Sequence, residues 1–89
     1  MHEAKLVGDL VSEVEKVALA NAAGHVERIR IEIGALSHVM PETLKGHFEI
    51  LAQGSPAQDA HLDITKSDDH TAKDAFDVRL VSIVVGSAW

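Results

Sequence analysis

The side chains able to hold a metal ion or move a proton are six histidines, His2, His25, His38, His47, His61 and His70, together with fourteen carboxylates; cysteine is absent. Without thiols, the chain has no disulfide, no thiolate metal site and no cysteine nucleophile. The zinc-protease spacing, two histidines four apart with a glutamate between them, does not occur. His38 and His47 are nine residues apart and fall in different predicted elements. Among the internal histidines His70 is the best candidate ligand, because Asp68 and Asp69 precede it directly.

His2 differs from the others in what surrounds it covalently. A free α-amine on Met1, the amide nitrogens that follow and the His2 imidazole can all reach one ion. The amine and the His2 backbone nitrogen close a five-membered chelate ring. His2 Nδ1 and that same amide close a six-membered one. Glu3 adds its amide nitrogen or its carboxylate. Compact, nitrogen-rich sets of this kind favour nickel or copper in tetragonal geometry over magnesium or calcium. Amine, imidazole and amide must each lose a proton to bind, so affinity rises with pH through the imidazole and amine range. A bulky second residue retains the initiator methionine, so the mature chain is expected to begin Met1-His2-Glu3. The predicted metal residues are therefore Met1, His2 and Glu3.

No other pattern supports chemistry. Gly34 and Gly54 are isolated, so there is no glycine-rich phosphate loop. No Ser-His-Asp arrangement is identifiable by spacing, and the Asp68-Asp69 pair and the Glu27/Arg28 region read as solvated faces. The chain is expected not to be an enzyme.

The elements that must position these residues follow from hydrophobic periodicity. From Glu3 to Ala23, Leu6, Leu10, Val14, Val17 and Ala18 recur at helical spacing, with Val7 and Val11 widening the stripe. Gly24, helped by Asn21, is the expected C-cap. Ile29, Ile31 and Ile33 then alternate with Arg28, Arg30 and Glu32, which predicts a half-buried strand over His25–Ile33. Residues 35–40 form a loop and Pro41 opens a second helix, with Leu44, Phe48 and Leu51 as its apolar stripe. Gln53-Gly-Ser-Pro56 closes that helix. His61–Thr65 reads as a short strand with Leu62 and Ile64 inward, and residues 66–75 as an exposed polar connection. The last strand, Phe76–Val85, alternates at first and then turns apolar on both faces, the pattern of a central strand or of one covered by a partner. The predicted fold is α+β, two helices on one face of a three-stranded mixed sheet in the order α-β-α-β-β.

Bulk composition agrees with one small domain. A chain of 89 residues buries only roughly 60–65% of its unfolded surface. The aromatic share is 3%, so the core must be aliphatic. A net charge of −6 disfavours nucleic acid and anionic membranes as partners, since both require clustered Lys and Arg. No stretch has the length and apolarity of a membrane span, and residues 1–20 carry charges throughout, so a cytoplasmic location is expected.

Several segments together resemble the HypA/HybF family of hydrogenase nickel-incorporation proteins. They are Met1-His2-Glu3, the segment Ile29-Arg-Ile-Glu-Ile-Gly-Ala-Leu-Ser37, Pro41-Glu42 with Phe48-Glu49, and Val78-Arg-Leu-Val-Ser-Ile-Val84. The resemblance runs over roughly residues 1–66 and 76–85. It implies a metallochaperone that receives Ni(II) and passes it towards the [NiFe] hydrogenase large subunit, working with a HypB-like GTPase. Some relatives also serve urease. The family's nickel ligands map onto Met1, His2 and Glu3. One departure is large: family members carry a zinc domain with two Cys-x-x-Cys pairs between the second and third strands. Here residues 66–75 hold no cysteine, so no structural zinc is expected. The chain reads as a single HypA-like nickel-binding domain, residues 1–89, in which the polar loop 66–75 replaces the zinc domain.

Two functional classes follow. In the first, the chain carries nickel and performs no bond chemistry. In the second, it is a metal-free adaptor that docks the GTPase or the hydrogenase large subunit, using the apolar last strand for strand addition. The same strand, with Trp89 near it, makes a homo-oligomer an expectation too.

Overall fold

The computed structural model describes residues 3–22, 24–73 and 75–86. It contains α1 (Glu3–Ala20), β1 (His25–Ile33), α2 (Pro41–Leu51), β2 (His61–Lys66) and β3 (Val78–Gly86). The three strands form one mixed sheet in the order β2-β1-β3, with β1 parallel to β2 and antiparallel to β3. The two helices lie together on one face of it, α1 over β3 and α2 over β2. The predicted α+β architecture and element order are those observed.

α1 forms because Val7, Leu10, Val11, Val14 and Ala18 share one face and are all buried. Its end differs from expectation. The helix stops at Ala20, Asn21 caps it by giving both its backbone N–H and its side-chain amide to the Val17 carbonyl, and Ala22 takes the left-handed conformation (φ 51°). The reversal thus falls two residues ahead of Gly24. α2 begins as predicted, with Pro41 in its first turn and the Met40 carbonyl accepting from Leu44 N–H and Thr43 Oγ1. Leu44 and Phe48 are buried, but Leu51 is exposed and Ala52 takes the next inward position. Ala52 lies four residues after Phe48, so the stripe keeps to i, i+4 steps.

β1 is the central strand. Ile29, Ile31 and Ile33 are fully buried beneath the helices, while Arg28 and Arg30 point outward. Val26 is also buried, which strict alternation from Ile29 would forbid. A bulge resolves this: Val26 pairs with Val85 and Arg28 with Val84, leaving Glu27 as the extra residue.

The last strand departs most from expectation. β3 starts at Val78 and is an edge strand, and Phe76 lies outside it with 70% of its surface exposed. Its apolar residues on both faces come from a second irregularity, near Val81, where the register shifts between Arg30/Ser82 and Ile31/Leu80. Val78, Leu80, Ile83 and Val85 face the core, and Val81 and Val84 stand on the open face of the sheet. That open face is otherwise charged, with Arg28 near Asp63 (3.6 Å) and Arg79 bonded to Glu32 (2.5 Å).

Candidate metal centre

The position of the chain's first helix follows from lengths. α1, with 18 residues, rises about 27 Å, and the nine residues of β1 span about 30 Å. Only residues 21–24 join them, so the helix must run back along the strand. The start of α1 therefore stands at the end of the molecule where β1 finishes, beside the start of β3, over which α1 packs. With overall dimensions of 43 × 22 × 17 Å, the two ends of the domain are well separated.

The end near Glu3 is closed by main-chain hydrogen bonds. Ser67 N–H donates to the Ile33 carbonyl (2.8 Å), Gly34 N–H to the Asp77 carbonyl (2.7 Å) and Leu36 N–H to the Ala75 carbonyl (2.7 Å). Buried Ser37 organises the turn into α2: its hydroxyl accepts from Val39 N–H (3.2 Å), and its carbonyl accepts from Lys66 Nζ (3.3 Å). The segment Gly34-Ala-Leu-Ser37 is thus a structural junction on which the β2–β3 connection rests.

Of the predicted metal residues, Met1 and His2 lie outside the described residues, and Glu3 enters as the first residue of α1. His38 and His70 are both exposed at this same end, in the turn before α2 and in the β2–β3 connection. His70 Nδ1 lies 2.9 Å from the Asp68 carbonyl oxygen. The Asp69 carboxylate accepts from both the hydroxyl (2.8 Å) and the N–H (3.0 Å) of Thr71, and these bonds hold its pKa below the usual carboxylate range. His47 is exposed on α2 and His61 opens β2. Among the described residues no three His, Asp or Glu side chains gather in a way that could hold a metal ion.

The opposite end carries a feature not foreseen from the sequence. His25 Nε2 lies 3.6 Å from the Glu27 carboxylate, and the imidazole rests against Gly86, where an added Cβ would stand 2.2 Å from Nε2. Both side chains border an open cavity of about 480 Å³ whose far wall includes Ser55, Gln58 and Asp59. The signal was the doublet Glu27-Arg28, which interrupts the alternation between Val26 and Ile29. The length of β1, about 30 Å, separates this cavity from the end where α1 begins.

Comparison with known proteins decides the family. Residues 1–72 match the family model described as hydrogenase/urease nickel incorporation, metallochaperone, hypA. The chain belongs to the HypA family. It is 38% identical over 64 residues to the hydrogenase maturation factor HypA of Acidithiobacillus ferrooxidans, covering 72% of this chain and 57% of that one. It is 42% identical over 67 residues to hydrogenase maturation factor HypA 2 of Bradyrhizobium diazoefficiens, covering 75% of this chain and 59% of that one. The match thus spans somewhat over half the length of these HypA relatives. The solution structure of the Ni metallochaperone HypA from Helicobacter pylori superposes with a TM-score of 0.81, at 24% identity, over 98% of this chain and 99% of that chain. That likeness establishes a HypA fold. Among the described residues no helix is long and apolar enough to cross a membrane.

Proposed function

We propose that this HypA chain is a nickel metallochaperone of hydrogenase maturation, binding Ni(II) at its N-terminus and delivering it to the enzyme precursor without bond chemistry of its own. The supporting observation is the family match, which begins at residue 1 and so includes Met1-His2-Glu3. The Met1 amine, the His2 amide and imidazole, and Glu3 form the donor set. Nickel is the cargo, and of the donor set Glu3 is the first residue of α1. A HypB-like GTPase and the [NiFe] hydrogenase large subunit are the proposed partners, in the cytoplasm. Residues 66–75 take the place of a zinc domain, and the whole chain works as one nickel-binding unit.

Isothermal titration of protein beginning at an unblocked Met1 should give one Ni(II) per chain. His2→Ala should abolish that site while the circular dichroism spectrum stays unchanged. Undiminished binding by the variant would overturn the assignment. Affinity should rise from about pH 6 to about pH 8, because protons compete for the imidazole and amine.

A second reading, the metal-free adaptor, has one feature in its favour. β3 is an edge strand with Val81 and Val84 about half exposed, so a partner strand has somewhere to add. Under that reading, capture of the GTPase or the hydrogenase large subunit survives His2→Ala. Under the nickel reading, hydrogenase maturation fails in the same variant.

A further inference from the structure

We propose that the bare face of the sheet docks an acidic, partly apolar segment of another protein, whose carboxylate is received by the Arg30 guanidinium. The inference is independent of nickel binding, and it concerns the open face of the sheet, not its β3 edge.

The first support is the distribution of basic residues. The chain has three arginines and five lysines. Arg28, Arg30 and Arg79 all lie on β1 and β3, exposed on the face that the helices leave uncovered. The lysines lie on the helices, at the end of β2 and in the β2–β3 connection. Where the three strands run side by side, the arginines of this face meet only two carboxylates, Glu32 and Asp63. One positive charge is left over there, in a chain whose formal charge is −6.

The second support is the position of that charge. Arg30 stands in the middle of the face, paired with Asp63 on β2 and with Ser82 on β3. Asp63, the carboxylate beside it, is taken by Arg28 (3.6 Å), and Glu32 is bonded to Arg79. Among the described residues the Arg30 guanidinium has no hydrogen bond or ion pair. A guanidinium is always charged, and its planar fork suits a carboxylate held through two parallel N–H donors.

The third support is what surrounds it. The irregularity near Val81 turns Val81 and Val84 outward together on the β3 side of Arg30. Aliphatic side chains around an arginine exclude water from its ion pair, the composition of an interface anchor. The paired region is six residues long, about 20 Å, and three strands wide, about 15 Å with side chains. A footprint of about 300 Å² takes one helix or one extended segment. Stable association of two folded proteins buries about 800 Å² on each, so the area favours a segment over a second copy of this chain.

The probe is a phage-displayed library of random peptides, selected on the full chain, with the recovered peptides then titrated by fluorescence anisotropy. Recovered sequences should place Asp or Glu between aliphatic residues. Arg30→Ala should weaken their binding about tenfold or more, and so should exchanging the peptide's carboxylate for an amide. Val81→Ser and Val84→Ser should weaken it too, whereas Lys45→Ala on α2 should leave it unchanged. Circular dichroism checks the fold of each variant. In wild-type protein the peptide should shift the NMR amide resonances of Arg30, Val81 and Val84, a result that needs no variant. Recovery without an acidic consensus, binding undiminished in Arg30→Ala, or shifts confined to other surfaces would each overturn the proposal. Sedimentation equilibrium of the chain alone should show no association that depends on Arg30. A dimer that Arg30→Ala dissociates would give the face to a second copy and overturn the assignment to a separate partner.

Discussion

At the scale of single residues, two positions show the backbone and a side chain making opposite demands. Ala22 occupies left-handed space at the end of α1, where an L-residue with a Cβ is disfavoured by about 1–2 kcal/mol and glycine is not. The neighbouring Gly24 is spent outside that position. Ala22→Gly should therefore raise stability by about 1 kcal/mol in urea unfolding, whereas at most exposed helix positions the same change lowers it. Gly86 presents the reverse case. A Cβ there would strike the far end of the His25 ring and approach the Glu27 carboxylate (2.9 Å), both of which belong to flexible, half-exposed side chains. Gly86→Ala should thus cost less than about 1 kcal/mol, because the ring swings aside while the backbone stays put. Its signature is local: the His25 ring resonances in NMR should shift strongly, and in a His25→Ala background the Gly86 substitution should become silent. A cost of several kcal/mol in both backgrounds would mean that the strand itself, and not the ring, is what Gly86 accommodates.

At the scale of elements, the sequence was legible wherever one period ruled from end to end. β1 was predicted with its observed bounds because Ile29, Ile31 and Ile33 alternate with charged residues, and α1 from its buried stripe. Two kinds of local geometry hid the remainder. In α2, the counting of i, i+3 and i, i+4 steps assigned the inward position to Leu51, and Ala52, one residue on, took it. Small size made Ala52 inconspicuous as a core residue. In β3, the irregularity near Val81 turns Val81 and Val84 outward together, so an edge strand imitates the composition of a central one. The proposed metal residues rest on a chelate between adjacent residues, which depends on covalent spacing alone, and Met1 and His2 lie outside the described residues. His70 was noticed for its acidic neighbours, but its ring tautomer depends on a carbonyl whose direction no sequence pattern reports. The α2 assignment predicts a sharp contrast. Phe48→Ala removes a side chain that is 1% exposed and should cost about 3–5 kcal/mol, a large part of what a domain of this size has. Leu51→Ala, at 46% exposure, should stay within about 0.5 kcal/mol. Comparable losses at both positions would show that the helix packs on the face first assigned to it.

At the scale of the whole molecule, the domain closes without help from the middle of its β2–β3 connection. Ser67 is bound to Ile33, the last residue of β1, and Asp77 to Gly34, which follows it, one from the β2 side and one from the β3 side. The connection must therefore cross two strand spacings, about 10 Å. Three extended residues reach that far, and the chain uses residues 68–76. The surplus lies in 68–73, where every residue but Ala72 is exposed, whereas Ala75 is buried and its carbonyl holds Leu36. Replacing residues 68–73 with Gly-Ser-Gly should consequently leave the unfolding free energy within about 1 kcal/mol, because halving a flexible loop changes its closure entropy by only about 0.6 kcal/mol. Nickel titration of the shortened chain should still give one site, because the proposed donors Met1, His2 and Glu3 lie outside the replaced segment. A shortened chain that unfolds several kcal/mol more easily would show that the connection braces the turn before α2 and is not a free span.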